Sequence, residues 1–509
     1  MLIFATFVLF SFPLLSMFLF LRFGTQQGIV WTVLLGFLFL PLYPRYDLPL
    51  LPVIDRHNVY MLCAVVFAFV ASKGRGRRLA GVESSLPTNW LPRSKLAIAL
   101  ICFTLFTPIA TILTNSDAGP SRFGFLVPVA YTDIGGLFYE FALPVMLFLV
   151  ARRFLSDEQG MITILKAVGF CGVIYGALIF VEWRLSPMLK FWVYGIWDIN
   201  WSFVMRGTGF RPVIFMSNPL QTAIFQAMAC VSAVAVFRSS TGGDRTLWRM
   251  ISLINLACLP FTLSMAAIVI GFGMSLFAFI GSKKQILAIL ALAGAFAFTY
   301  PLLRTAEVVP TGAILAVAGQ ISEDRRASLA TRFRSEDLYI ERTLDRPLFG
   351  WAQRQRDMPR NEKDEPIAIP DSFFIIVLAQ RGLVSFIGIF GLFTLPLIML
   401  WRRRRTAPIG HVILGLGLMV TVSVADKLLN SFFTPLLFLA SGAIMGLTER
   451  VVFREADEAA RARRAALEVE RSKWRGRKGL GQSQGGALNA RRPGTPGVQG
   501  GHALARPRR

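Results

Sequence analysis

The sequence predicts an all-α membrane protein, a bundle of about 12 or 13 transmembrane helices with one large, partly helical loop on its outer face. Three observations predict it. Hydrophobic residues make up 54% of 509 positions and mean hydropathy is +0.55, more apolar than a soluble core of this size requires. Apolar runs long enough to cross a hydrocarbon layer as helices recur from end to end. The positive charge, 54 Lys and Arg against 30 Asp and Glu, collects in short segments between those runs, as the positive-inside rule expects.

In order, the expected spans are 2–20, 29–43, 59–71, 96–113, 134–150, 162–181, 213–237, 251–264, 266–280, 286–303, 373–400, 411–424 and 431–447. No basic residue precedes the first and no small-residue cleavage site follows it, so it reads as a retained span rather than a signal peptide. Segments 59–71, 251–264 and 411–424 are short, which leaves re-entrant or tilted arrangements open for them. Lys73, Arg75, Arg77, Arg78, Arg93 and Lys95 fill one loop and Arg402 to Arg405 form another cluster, assigning both to the cytoplasm. Alternation then puts 115–133, 182–211 and 304–371 outside. The transmembrane domain is expected over 1–448, with its main outer loops at 182–211 and 304–371. Residues 449–509 read as a basic helix along the inner membrane face followed by a disordered tail suited to anionic lipid.

A net charge of +24 distributed in this way points to membrane lipid and away from nucleic acid as a partner. Cys63, Cys102, Cys171, Cys230 and Cys258 all fall inside expected spans with no Cys-x-x-Cys pair, so they read as small apolar packing groups rather than disulfide or zinc ligands. The chain carries no Walker A segment, dinucleotide fingerprint, His-Glu-x-x-His or acidic diphosphate–metal pair, and the expectation is a protein with no metal and no cofactor.

Chemistry is expected in the outer loops. Segment 304–371 holds 11 basic and 12 acidic residues in an otherwise strongly basic chain. Within it Ser335, Glu336 and Asp337 look like a helix start, stopped by Pro347 and Gly350. That helix would set Phe333, Ile340 and Leu344 on one stripe, carboxylates on the next, and Arg342 and Arg346 beyond. Arg332, Arg334 and Arg342 are candidate ligand-binding cations, with a solvated helix of surface ion pairs as the plain alternative. Arg206 and Arg211 flank a glycine-rich turn at the membrane edge, where forked donors and free backbone N–H groups can grip a phosphate. The aromatics before them, including Trp192, Trp197 and Trp201, are either interfacial anchors or a stacking surface for sugars. Asp371, beside Ser372 at the start of 373–400, can take a proton from a hydroxyl or cap the helix that follows. Glu140 is the one ionisable residue that falls deep within a span.

Two segments carry a family resemblance. They are IFVEWRLSPMLKFWVYGIWDINWSFVMRGTGFRPVIFMSNPL at 179–220, and FRSEDLYIERTLDRPLFGW through PDSFFIIVLAQRGLVSFIGIFGLFTLPL, ending at Leu397. The order is a charged helix, Arg-Pro-Leu-Phe-Gly, a polar loop, a short polar pair, then a long apolar helix with an internal Gly. In this the chain resembles the O-antigen ligase and polysaccharide polymerase superfamily of bacterial inner-membrane proteins. The resemblance implies a GT-C-like, metal-independent glycosyltransferase whose large loop is periplasmic. Such an enzyme passes glycan from an undecaprenyl-diphosphate carrier to a lipid or glycan acceptor, alongside other polysaccharide assembly proteins.

The family's donor-binding Arg would correspond to Arg206 or Arg211. Asp371-Ser372 stands where family ligases usually carry His-Asn or His-Ser, and Ser264-Met265 where they often carry Ser-Arg. Asp371 must then substitute for the histidine, or arginine positioning alone carries the reaction. The missing histidine tilts the expectation toward a polymerase over a ligase. From another class, a lipid-linked oligosaccharide flippase needs a similar bundle, but it should concentrate polar residues near mid-membrane rather than in outer loops.

Overall fold

The computed structural model describes residues 2–47, 53–74, 89–121, 124–126, 128–130, 134–206, 209–353, 356–361, 363, 365–406 and 409–451. Most of the expected basic tail, from residue 452 on, and most of the 73–95 loop lie outside the described residues. The chain is predominantly helical, and eight of the described helices are long and apolar enough to cross a membrane. Its composition and these helices make it a multi-pass membrane protein.

The first helix, α1 (Leu2–Phe39), takes in the first expected span and the second as far as Phe39, with Gly24 at φ 79° breaking it between the two. The break makes a hairpin. Phe4 stacks on Tyr194 with ring centroids 6.2 Å apart, and the Tyr194 hydroxyl donates to the Phe39 carbonyl at 2.5 Å, so both ends of α1 meet one side chain. Between them Gln26 donates to Asp157 Oδ1 at 2.8 Å and to the Phe154 carbonyl at 2.9 Å. Next come α2 (Arg56–Gly74), α3 (Lys95–Leu113), α4 (Ile134–Phe154) and α5 (Glu158–Leu185). Two short loop helices follow, α6 (Leu189–Tyr194) and α7 (Trp201–Val204).

At the centre stands α8 (Pro219–Ser239), buried on every side. Its alanines explain how. Gly169 and Gly172 of α5 lie against Ala233 and Ala229. Gly271 of α10 (Met265–Ile280) lies against Ala227, and Gly415 of α15 (His411–Leu429) against Ala235. Glycine set on alanine lets backbones approach closely, which is the main source of packing energy where lipid is as apolar as the helix surface.

Several boundaries differ from expectation, each for a local reason. Helix α8 begins at Pro219, capped by Asn218, rather than at 213, because Pro suits the first helical position. The expected 251–264 span is instead α9 (Gly242–Cys258), an amphipathic helix ended by the Leu259–Thr262 3₁₀ turn that contains Pro260. After α11 (Lys283–Thr305) comes α12 (Thr311–Ile321), which was not expected. The charged helix α13 runs Glu323–Leu344, so it starts at Ser322 and Ser335 is interior. Residues 323–334 contain no Gly or Pro and are rich in Arg, Ala and Leu, so nothing stops a helix there.

The last long helices are α14 (Phe373–Arg402), α15 and α16 (residues 435–451). Gly382 interrupts α14 at φ 72°. Into this interruption fits segment 347–352, whose Gly350 also has positive φ. Trp351 N and Ala352 N donate to the Ala379 and Gln380 carbonyls at 2.8 and 2.9 Å, while Leu383 N donates to the Pro347 carbonyl at 2.8 Å. Helix α3 secures the seam from the other side, through Thr111 Oγ1 on the Phe349 carbonyl at 2.7 Å and Asn115 Nδ2 on the Gly350 carbonyl at 2.9 Å.

The loops sort into two ends. At one, Asp117 after α3 bridges Arg346 at 2.6 Å and Arg356 at 2.7 Å, which joins segments 115–121 and 345–357. At the other, Arg152 of α4 pairs with Glu449 at 2.6 Å and donates to the Asn89 and Trp90 carbonyls. Burial pushes the Asp117 carboxyl up, but the hydrogen bond and charge of Arg346 and the charge of Arg356 outweigh it and hold it below its ordinary value.

Two predictions follow from this packing. In thermal unfolding of detergent-purified protein, Gly382→Ala and Gly350→Ala each lose about 1–3 kcal/mol, since a Cβ would press on the opposing backbone at positive φ. Gly273→Ala, whose Cβ meets nothing, stays at or above wild type. Because Asp117 is depressed in the folded state, its stabilisation is present above the ordinary carboxylate pKa of about 4 and fades as pH falls through the folded value. The stability gap between wild type and Asp117→Asn should therefore shrink on acidification from neutral pH.

Candidate functional site

Glu182, near the end of α5, organises the loop 186–212. It is 1% exposed; its Oε2 accepts from Val213 N and Ile214 N at 2.7 Å each, and its Oε1 from Leu189 N at 3.0 Å. One carboxylate thus draws both ends of 186–212 together and holds Ile214 at φ 56°. Within the loop, strands β1 (Met205–Arg206) and β2 (Gly209–Phe210) pair so that Arg206 faces Gly209. Arg211 N donates to the Val204 carbonyl at 2.8 Å.

Helix α13 supplies the opposite wall. Arg304, at the end of α11 and 5% exposed, binds Glu336 at 3.0 Å and Asp337 at 2.7 Å and fixes α13 to the bundle. Arg325 and Arg332, two helical turns apart, then look onto the same space as Arg206 and Arg211. That space is a cleft of about 750 Å³. Met265, Ile268 and Val269 of α10, Leu220 and Ile224 of α8, and Ala318 and Ile321 of α12 make its apolar side. Ser264 sits at the N-cap of α10 without a side-chain cap bond, so the first N–H groups of α10 open toward the cleft as donors.

The electrostatics favour an anion. Among the described residues Arg206, Arg211 and Arg325 make no carboxylate ion pair, and Arg332 meets Asp371 only at 3.6 Å. Burial, then the charges of Arg206 and Arg332, lower Arg211 to about 10; a bound anion would offset the repulsion among these cations. Asp426 also lines the cleft, but Lys427 at 3.2 Å and Asn430 at 2.7 Å engage its carboxylate. Among the described residues no group of three His, Cys, Asp or Glu side chains could hold a metal ion.

Of the residues singled out from sequence, Arg206, Arg211 and Arg332 come together in the cleft, with Asp371 at its edge through Arg332. The N-cap of α14 is Ser372, so Asp371 is not the cap; its carboxylate is turned to Arg332, and the Ser372 hydroxyl is buried without a partner. Arg334 is exposed on α13 and does not line the cleft. Arg342 is 1% exposed, with its guanidinium carbon 3.4 Å from the centroid of the Trp351 ring and Nη2 donating to the Arg356 carbonyl at 2.7 Å. It holds the loop together rather than reaching a ligand. Trp201 lies outside the cleft, next to Trp197 and Phe210. Glu140 pairs with Arg381 at the α14 interruption and accepts from Gln353 at 3.1 Å.

Arg325 was missed. Its signal was its seven-residue spacing from Arg332, once the helix is started at Ser322.

The fold and this cleft define a multi-pass helical membrane protein with an arginine-lined cleft. No protein-family model and no curated protein matches the chain.

Arg342→Ala, which strips a buried cation from Trp351 and the Arg356 carbonyl, should lower stability by about 2–4 kcal/mol in a melting experiment. Arg334→Ala should stay within about 0.5 kcal/mol of wild type.

Proposed function

We propose that this chain is a metal-independent glycosyltransferase of the O-antigen ligase and polysaccharide polymerase type. In this reading it lies in the bacterial inner membrane and moves glycan from an undecaprenyl-diphosphate carrier to a glycan or lipid acceptor on the periplasmic face. The observation that carries the reading is the gathering of Arg206, Arg211, Arg325 and Arg332 beside an apolar wall. A lipid diphosphate needs both surfaces at once.

The reaction has the acceptor oxygen bond to the anomeric carbon while the carbon–oxygen bond to the diphosphate breaks. The bonding pair leaves on the diphosphate, so the main demand is neutralisation of a growing oxyanion. Four guanidiniums and the α10 N-terminus meet that demand without a metal. The acceptor hydroxyl gives up its proton to Asp371, whose 3.6 Å separation from Arg332 leaves oxygen lone pairs open. A polymerase is favoured over a ligase because Asp371 occupies the position of the ligases' usual histidine.

The decisive test is deletion of the gene followed by analysis of surface glycan. Loss of long chains with single repeats still attached identifies a polymerase, and loss of all attached repeats a ligase. Carrier-linked units trapped on the inner face would overturn the transferase reading in favour of a flippase. On complementation, Arg211→Ala and Arg332→Ala should each reduce transfer roughly 10²–10³-fold, with Arg334→Ala close to wild type. Asp371→Asn should lose about 10²-fold or more; undiminished transfer by that variant removes Asp371 from the mechanism.

A further inference from the structure

The aromatic side chains of the first outer loop fall into two groups. Phe191, Trp192 and Val193 form the exposed face of α6, while Lys190 and Tyr194 are buried beneath it. This short apolar face fits the membrane interface.

The second group adjoins the first through Phe191, whose ring centroid lies 5.4 Å from that of Trp197. Trp197 and Trp201 are 57% and 36% exposed, with ring centroids 6.3 Å apart. Trp201 lies 6.0 Å from Phe210, which pairs with Met205 in the hairpin that carries Arg206. On the same hairpin Gly209 packs against Leu263, the residue that leads into the α10 N-terminus. The row therefore ends on the hairpin that carries Arg206 and leads into Arg211. The apolar wall of α10 and α12 and the four arginines line the cleft, and the stepped aromatic rings lie outside it on the loop that presents Arg206 and Arg211.

We infer that Trp197, Trp201 and Phe210 form a saccharide-stacking subsite, which receives the first sugar rings beyond a diphosphate held in the arginine cleft. The inference rests on the proposed reading of that cleft and deepens it. An amphiphile built as tail, diphosphate and sugar has the same order of chemistries as the three parts of the surface. The C–H-bearing face of a pyranose carries partial positive charge and matches the negative face of an indole. Such stacking depends little on which sugar is present, because it reads a ring face rather than a pattern of hydroxyls. Rows serving only as lipid anchors have no need to end on the hairpin that carries Arg206.

The test uses full-length protein in lipid nanodiscs and paired probes with the same tail. These are farnesyl diphosphate and its glucosyl, galactosyl and N-acetylglucosaminyl diphosphate esters, with affinity read by calorimetry. Wild type should bind at least one sugar-bearing probe about fivefold to tenfold more tightly than farnesyl diphosphate. Trp201→Ala should abolish that preference by weakening only the sugar-bearing probe. Trp197→Ala should reduce the preference, and Trp201→Phe, which keeps a stacking face, should retain most of it. Trp192→Ala should change neither affinity.

Equal wild-type affinity for all probes, or a preference that survives Trp201→Ala, or equal weakening of both probe types by that variant, overturns the subsite and leaves the arginine cleft standing. Failure of wild type to bind any of the probes overturns both.

Discussion

The end of this molecule that carries the cleft depends on a backbone seam. Segment 347–352 lies against the interruption of α14, with main-chain donors from Trp351, Ala352 and Leu383 crossing it. Gly350 and Gly382 take positive φ there; a Cβ on Gly350 would meet the backbone of 380–382, and one on Gly382 the backbone of Leu348 and Phe349. A helix opened inside a membrane protein leaves N–H and C=O groups that must find partners within the protein. The seam supplies them, and in doing so it ties the long outer segment to the bundle. Arg304 adds the second tie, to α13. Between these two points α13 is held so that Arg325 and Arg332 face the loop opposite.

Charge is handled differently around the seam and in the cleft. Around the seam each cation has its partner: Arg346 and Arg356 share Asp117, Arg342 has the Trp351 ring and the Arg356 carbonyl, and Arg381 has Glu140. In the cleft, cations converge with little compensation, which costs stability unless an anion is present. Glu182 makes this arrangement tolerable from a distance. It spends its own charge on three backbone amides and so fixes the loop that presents Arg206 and Arg211 without neutralising either.

The membrane bundle was legible in the sequence because span length and apolarity are local properties. Expected 96–113 and 286–303 correspond to helices Lys95–Leu113 and Lys283–Thr305. Arg206 and Arg211 stood out for a related reason, because arginines at the edge of an apolar run have few places to go, whereas Arg332 was one of three arginines of its loop with nothing local to single it out. What could not be read depends on chain segments far apart. Arg342 resembles Arg332 in sequence, and its burial follows only from the return of Trp351 through the seam. Asp371 and Ser372 are adjacent candidates for one cap, and a single residue of register decided which faces Arg332. Arg325 was lost through the choice of Ser335 as a helix start, where helix-forming residues upstream let the helix extend to Ser322.

The 3.6 Å contact between Arg332 and Asp371 has a thermodynamic side. An ion pair this loose is easily exchanged, so an anion entering the cleft competes with Asp371 for the same guanidinium. In the proposed reaction, arrival of the donor and release of the carboxylate are then one linked equilibrium. Donor binding withdraws Arg332 from Asp371, and by reciprocity any contact that draws the Asp371 carboxylate away tightens the hold of Arg332 on the donor.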